Sequence, residues 1–265
     1  MALVRTRQTG RSMVLTLADP GRQNALSAEM VADVGLALDA APHNLAALVV
    51  EGDGGVFSAG ADLKSLSAAL AKPPTPGETD PLQTLNAAGG RFFARFAALP
   101  FVTIAVVDGA AVGGGMGLAA AADVVVATSK ARFALTETSL GLPPAQIALY
   151  LVARLGERVA RRLALTGARL DGREAAAIGL ADFFCESETE REARVEALIE
   201  AIERCAPDAN AETKRLFRAC RAEPPEVYIE TAAQSFAAAL RGPEGREGLA
   251  AFVGKRAPFC ARGAK

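Results

Sequence analysis

Short apolar runs alternate with amphipathic stretches along most of this chain. Residues 13–17 (MVLTL) read as a strand, closed by the turn residues Asp19, Pro20 and Gly21. Ser27 stands where an N-cap belongs. It precedes Val31, Val34 and Leu38 at helical spacing and predicts a helix to about Ala41. Residues 45–50 (LAALVV) form a continuous apolar run that ends at Gly52, Asp53, Gly54 and Gly55, which suits a buried strand. Four prolines within residues 72–81 predict an exposed loop. Leu85, Phe92, Phe96 and Leu99 then share one side of a helix expected over 82–99. Residues 101–107 (FVTIAVV) and 123–128 (DVVVAT) read as two more strands, separated by a glycine-rich turn and an alanine-rich helix. Repeated strand–turn–helix units of this kind predict an α/β fold.

From Arg191 onward the pattern is charged, alanine-rich and helical, with no strand-like run. A boundary is therefore expected between a core of residues 1–190 and a helical region of residues 191–265. With 51% of its 265 residues apolar, the chain can bury a substantial core. Its net charge of −1, without a long basic run, argues against nucleic acid or an anionic membrane as partner. No apolar run reaches the roughly 18 residues of a membrane span, and the N-terminus does not read as a signal peptide. The expected location is therefore the cytoplasm, with Cys185, Cys205, Cys220 and Cys260 as free thiols. His43 is the single histidine, and it reads as a surface loop residue. The lone histidine and scattered cysteines offer no metal-ligand cluster, so no metal is expected.

Two segments carry candidate chemistry. Phe57 to Lys64 follows a strand, and its small residues leave backbone N–H groups open to a ligand. Gly113 to Leu118 opens a helix, where orphan N–H groups and the helix dipole favour negative charge. Donors from two such segments, aimed at one point, would make an oxyanion hole. The familiar alternatives fail at single positions. Leu118 stands where a dinucleotide fingerprint needs glycine, and Val56 stands where a nucleophile elbow around Ser58 would need it.

Asn24-Ala25-Leu26, FSAGADLK at 57–64, DGAAVGGGMGLAAAADVVVAT at 108–128 and ARFALTETSLGLPP at 131–144 resemble, in order and interval, the signatures of the enoyl-CoA hydratase/isomerase (crotonase) superfamily. The later pieces at 157–166, at Gly179-Leu180 and at 247–258 agree, so the resemblance covers nearly the whole chain. It implies a spiral of ββα turns with a C-terminal helical region used in assembly as a trimer or a dimer of trimers. It further implies an acyl-CoA substrate, with CoA as part of that substrate and no separate cofactor. The resemblance makes Ala61 and Gly114 the oxyanion-hole donors and Glu137 the acid/base. It places Ala25, Ala59, Asp62, Leu63, Lys64, Gly113 and Gly117 along the CoA and acyl path. Arg22 would face CoA phosphates, and Phe252 and Lys255 would approach the CoA of a neighbouring subunit.

One position departs from the pattern. Two-glutamate hydratases of this family place a second carboxylate where Gly117 stands here. An enlarged acyl pocket is therefore expected at Gly117. The stretch 136–166 resembles hydratases of branched, carboxylate-bearing enoyl-CoAs, such as the methylglutaconyl-CoA and isohexenylglutaconyl-CoA hydratases. Hydration of a substituted enoyl-CoA is the expected activity. Isomerisation, thioester hydrolysis and a non-catalytic binding role are the alternatives.

Overall fold

The computed structural model describes residues 2–259. Strands β1 (Val4–Thr9) and β2 (Ser12–Leu17) form an antiparallel hairpin, followed by helix α1 (Ala28–Asp39). Three strand pairs come next: β3 (Ala47–Gly52) with β4 (Val56–Ser58), β5 (Val102–Val107) with β6 (Ala110–Val112), and β7 (Val124–Thr128) with β8 (Arg132–Ala134). Each pair sends its first strand into a six-stranded sheet and its second into a four-stranded one. With β9 (Arg169–Asp171) and β10 (Phe183–Cys185), the orders are β1-β2-β3-β5-β7-β10 and β4-β6-β8-β9. Pairing is parallel except at the hairpin and between β8 and β9. Helices follow each pair: α2 (Leu63–Leu70) and α3 (Pro81–Ala97), then α4 (Gly114–Ala121), then α5 (Ala148–Thr166). The repeat is the ββα spiral that the resemblance implied.

The strands foreseen as continuous apolar runs are β3, β5 and β7, and they are buried on both faces. One face packs on a large core that includes Met30, Leu48, Phe57, Phe96, Met116 and Phe133. On the other, Val49, Ile104, Val106, Val126 and Cys185 meet Val195, Leu198, Ile199 and Ile202 of α7 (Glu188–Glu203). Beyond α7 come α8 (Pro207–Ala222), α9 (Pro225–Arg241) and α10 (Pro243–Val253). A short helix α6 (Gly172–Ala177) links β9 to β10 and carries a full capping box from Asp171 and Glu174.

Several boundaries differ from the expectation. The helix foreseen over 82–99 begins at Pro81, because Asp80 caps it through Leu82 N–H at 2.7 Å and proline suits a first helical turn. Helix α2 was not foreseen. Strand β3 starts at Ala47 rather than Leu45. Among the expected thiols, Cys185 is buried and free, and Cys205 and Cys220 are exposed and free, whereas Cys260 lies outside the described residues.

Candidate active site

The site begins with a backbone loop held from below. Asn24 is fully buried, and its side chain makes three hydrogen bonds. It accepts from Asp19 N–H at 2.8 Å and donates to the Asp53 and Val56 carbonyls at 3.0 and 2.6 Å. The buried Ser58 hydroxyl donates to the Asn24 carbonyl at 2.8 Å and accepts from Gly60 N–H at 3.1 Å. Ser58 is thereby spent on structure, not poised as a nucleophile. Ala59 N–H donates to Gln23 O at 2.9 Å and Leu26 N–H to Gly60 O at 2.7 Å. The segment leaving β4 is thus stitched to the Ala25–Leu26 turn, and Ala25 itself is buried.

This stitching sets Ala61 against the start of α4. Gly60, at φ 84°, has its Cα so near the next turn of the spiral that a β-carbon there would lie 2.7 Å from Gly114 N and closer still to Val112 O. A β-carbon at Gly114 would lie 3.5 Å from Ala61 N. The first N–H groups of a helix have no intrahelical acceptor. Among the described residues, neither the Ala61 nor the Gly114 N–H donates to a protein acceptor. Two unspent donors from separate segments therefore lie side by side, with the positive end of α4 behind one of them.

Glu137 stands beside them. It opens a 3-10 turn (Glu137–Leu140) after β8, anchored by the Thr138 hydroxyl on Ala164 O at 2.7 Å and by Leu142 N–H on Glu137 O at 3.0 Å. Its Oε1 lies 2.9 Å from where a β-carbon of Gly113 would be, so a side chain at 113 would displace the carboxylate. Gly113 also takes a positive φ of 51°. The Glu137 Oε2 atom is buried with no hydrogen-bond partner. Burial pushes its carboxyl above the ordinary value. A carboxyl held this way is suited to carrying a proton to and fro.

The remaining candidates fall into three groups. Asp62 caps α2, accepting from Lys64 N–H at 3.1 Å and from the Ser65 hydroxyl at 2.6 Å, and the Ser65 bond holds its carboxyl below the ordinary range. Leu63 and Lys64 lie exposed on the first turn of α2, beside Ala61. Arg22 is paired with Asp19 at 2.6 Å in the 3-10 turn Pro20–Arg22, so its guanidinium is already engaged. Phe252 and Lys255 stand at the surface around the C-terminal end of α10, a helix packed on α9. Within the single chain neither bonds to the Ala61–Gly114–Glu137 group.

Gly117 corrects an expectation. It does not leave an enlarged pocket. A β-carbon there would lie 2.7 Å from the Ile147 Cβ and closer still to its Cγ2. Ile147 fills the space that a side chain at 117 would claim. Ile147, Asn24 and Ser58 had no assigned role from sequence. Asn24 carried a signal as part of a recognised motif, but Ile147 carried none.

Known proteins resemble this chain over nearly its whole length. The chain is 38% identical to a crystal structure of an enoyl-CoA hydratase/isomerase from Marinobacter aquaeolei, with a TM-score of 0.92 over 99% of this chain and all of that one. It is 41% identical to AtuE of Pseudomonas aeruginosa, with a TM-score of 0.91 over 98% of this chain and all of AtuE. Among curated proteins, a putative enoyl-CoA hydratase of Thermus thermophilus is 35% identical over 95% of this chain and 98% of its own length. The 2,3-dehydroadipyl-CoA hydratase of Escherichia coli is 30% identical over 97% of both. Residues 9–261 match the family described as enoyl-CoA hydratase/isomerase, and with the paired N–H donors and the buried carboxyl in place, this chain belongs to that family.

Proposed function

We propose that this chain adds water across the double bond of a 2-enoyl-CoA thioester, with Glu137 as its one acid/base group. The observation that carries the reading is the Glu137 carboxyl, half-buried and partly unpartnered, set against Gly113 beside the free N–H groups of Ala61 and Gly114. The thioester oxygen sits between the two N–H groups. The Glu137 carboxylate takes a proton from water, and the resulting hydroxide bonds to the β-carbon. The π electrons move onto the thioester as an enolate held by the two donors, and Glu137 returns the proton to the α-carbon. One water is added and nothing else is consumed. Each fixed N–H donor contributes about 3–4 kcal/mol to lowering such a barrier.

The acyl group is a substituted one, carrying a branch or a second carboxylate. Support comes from the 136–166 resemblance and from the relative named for 2,3-dehydroadipyl-CoA, whose acyl chain ends in a carboxylate. The working form is a trimer or a dimer of trimers. Phe217, Phe236 and Phe252 on α8, α9 and α10 are 66%, 71% and 82% exposed in the single chain, more apolar surface than one chain alone covers.

A second reading rests on Gly117 and Ile147. With no second carboxylate beside Glu137, moving a proton between carbons needs no more than is present, so the same site suits isomerisation of a 3-enoyl-CoA. A panel of purified thioesters separates the two: crotonyl-CoA, 2,3-dehydroadipyl-CoA, 3-methylglutaconyl-CoA and a 3-enoyl-CoA. Loss of the conjugated thioester absorbance with a mass gain of one water supports hydration. A gain of that absorbance from the 3-enoyl ester without mass change supports isomerisation and overturns the first reading.

A further inference from the structure

Two helical glycines face one short turn. Residues Ala145–Ile147 form a 3-10 turn in which Ala145 takes φ 29°. The Gln146 side chain lies against Gly90 of α3, where a β-carbon would come within 2.7 Å of its Cδ, and its Nε2 donates to Asn86 Oδ1 at 2.8 Å. The next side chain, Ile147, lies against Gly117 of α4 and is only 4% exposed. The turn is thus keyed into two helices at once, each time by a side chain occupying the space above a glycine.

The key into α4 lies next to the chemistry. Gly117 N–H donates to Gly113 O at 2.9 Å, closing the first turn of the helix. Gly113 itself is the N-cap, at φ 51° and ψ −116°, and this bond ties it to Gly117. Glu137 lies against Gly113 and Ile147 against Gly117. The carboxyl and the isoleucine therefore both pack on the first turn of α4. The isoleucine is β-branched and stiff, and Gly117 beneath it and Gln146 beside it hold it in place.

We propose that Ile147 is the specificity-determining residue of the acyl pocket: a fixed aliphatic wall beside Glu137 that limits the bulk of the substituent on the substrate's β-carbon. The assignment rests on the acyl-CoA reading above, with the β-carbon next to Glu137. Ile147 also closes the space that a second carboxylate at position 117 would need, so the size of residue 117 and the size of residue 147 are one choice. A larger residue at either position requires a smaller one at the other.

Two measurements on the full chain test this. Calorimetry with the unreactive saturated esters butanoyl-CoA and 3,3-dimethylbutanoyl-CoA reads the wall directly. In Ile147→Ala the affinity ratio should shift toward the bulky ester by roughly tenfold, and in the milder Ile147→Val by a few-fold, since each removed methylene counts for nearly a factor of four. A ratio within twofold of the parent in both variants, with both esters still bound, overturns the proposal while leaving the acyl-CoA reading intact. Failure of the parent chain to bind either ester overturns both. The shared space is read by thermal unfolding. Gly117→Ala should lower Tm, and adding Ile147→Ala should cost less than the sum of the single losses. Additive losses would mean that the two residues do not share one space.

Discussion

Helix α4 and the helices α8–α10 solve opposite problems. Seven of the eight residues of α4 are buried, and its contribution to the site is backbone, an N–H at Gly114 and a dipole, with almost no side chain to spare. Each of α8, α9 and α10 is longer, yet α8 buries no residue fully, α9 only Ser235 and α10 only Ala251. Their information points outward, in Phe217, Phe236 and Phe252. In the first region the chain is complete in itself, and what matters is which atoms are missing. In the second, Phe217, Phe236 and Phe252 stay largely exposed on the single chain. Changes near α4 should therefore damage chemistry first, and changes on the outer helices should first damage the trimer proposed above.

The sharpest break in that comparison is Glu137→Gln. It should lower turnover by roughly 10²–10⁴-fold, the range for a lost acid/base group, with acyl-CoA affinity within a few-fold and an unchanged mass by light scattering. The pH profile follows from the same residue. In the proposed reaction the base form of Glu137 takes the first proton, and burial raises its pKa. The parent kcat/KM should therefore climb with pH through one ionisation above the ordinary carboxylate range, and the residual rate of the glutamine variant should lack that limb. A profile unchanged in the variant would move the chemistry elsewhere.

Gly60→Ala is next in size. Its β-carbon would press on Gly114 N and Val112 O at a backbone φ of 84°. The loop carrying Ala61 must then draw back from α4, and a misplacement of about 1 Å can cost about a hundredfold in rate. Stopped-flow turnover at saturating ester should show that loss, while fluorescence-detected unfolding shows a lower Tm. On the outer helices, Phe236→Asp together with Phe252→Asp should instead dissociate the proposed trimer. Light scattering should then report single chains with native circular dichroism, and a trimer that survives both charges would place the interface elsewhere.

How much of this was legible follows from where the signal resides. Strands β3, β5 and β7 are buried on both faces, so each reads as an unbroken apolar run. Ser27 and the start of α4 carry local capping and glycine signals, and Glu137 sits inside a recognisable motif. Strands β4, β6, β8, β9 and β10 have three residues each, too few to show a period, and owe their extended form to the strand beside them. The break in α5 rests on Gly156 alone, with φ 71° and ψ 156° inside an otherwise amphipathic run. The Ile147–Gly117 fit joins residues thirty positions apart through shape only. A glycine that leaves room and a glycine whose room is already taken look identical in sequence, which is why Gly117 suggested an empty pocket.

The smallest expected effect lies at the joint between the two regions. Lys214 on α8 reaches into the core. Its side chain is 11% exposed, and Nζ donates to Phe101 O at 2.8 Å and to Asp123 Oδ2 at 2.6 Å. The same Asp123 oxygen accepts from Thr103 N–H and the Thr103 hydroxyl at 2.7 and 2.9 Å, next to β5 and β7. Removing one partner of a fully buried ion pair costs about 3–5 kcal/mol. Asp123 keeps both Thr103 donors and some access to solvent, so Lys214→Met should cost less than that and leave turnover within twofold. Burial pushes the Lys214 ammonium below its ordinary pKa more strongly than Asp123 draws it back. Between that lowered value and the ordinary lysine value the unfolded chain binds more protons than the folded one, so this residue makes stability rise with pH there. Below the lowered value its contribution is flat and unfavourable relative to the deprotonated form. Urea unfolding at a series of alkaline pH values should show that rise in the parent and its loss in Lys214→Met. Parallel curves for the two proteins would mean that the lysine is solvated and that α8 is held to the sheet by other contacts, such as Arg218 on Ala97 O at 3.3 Å.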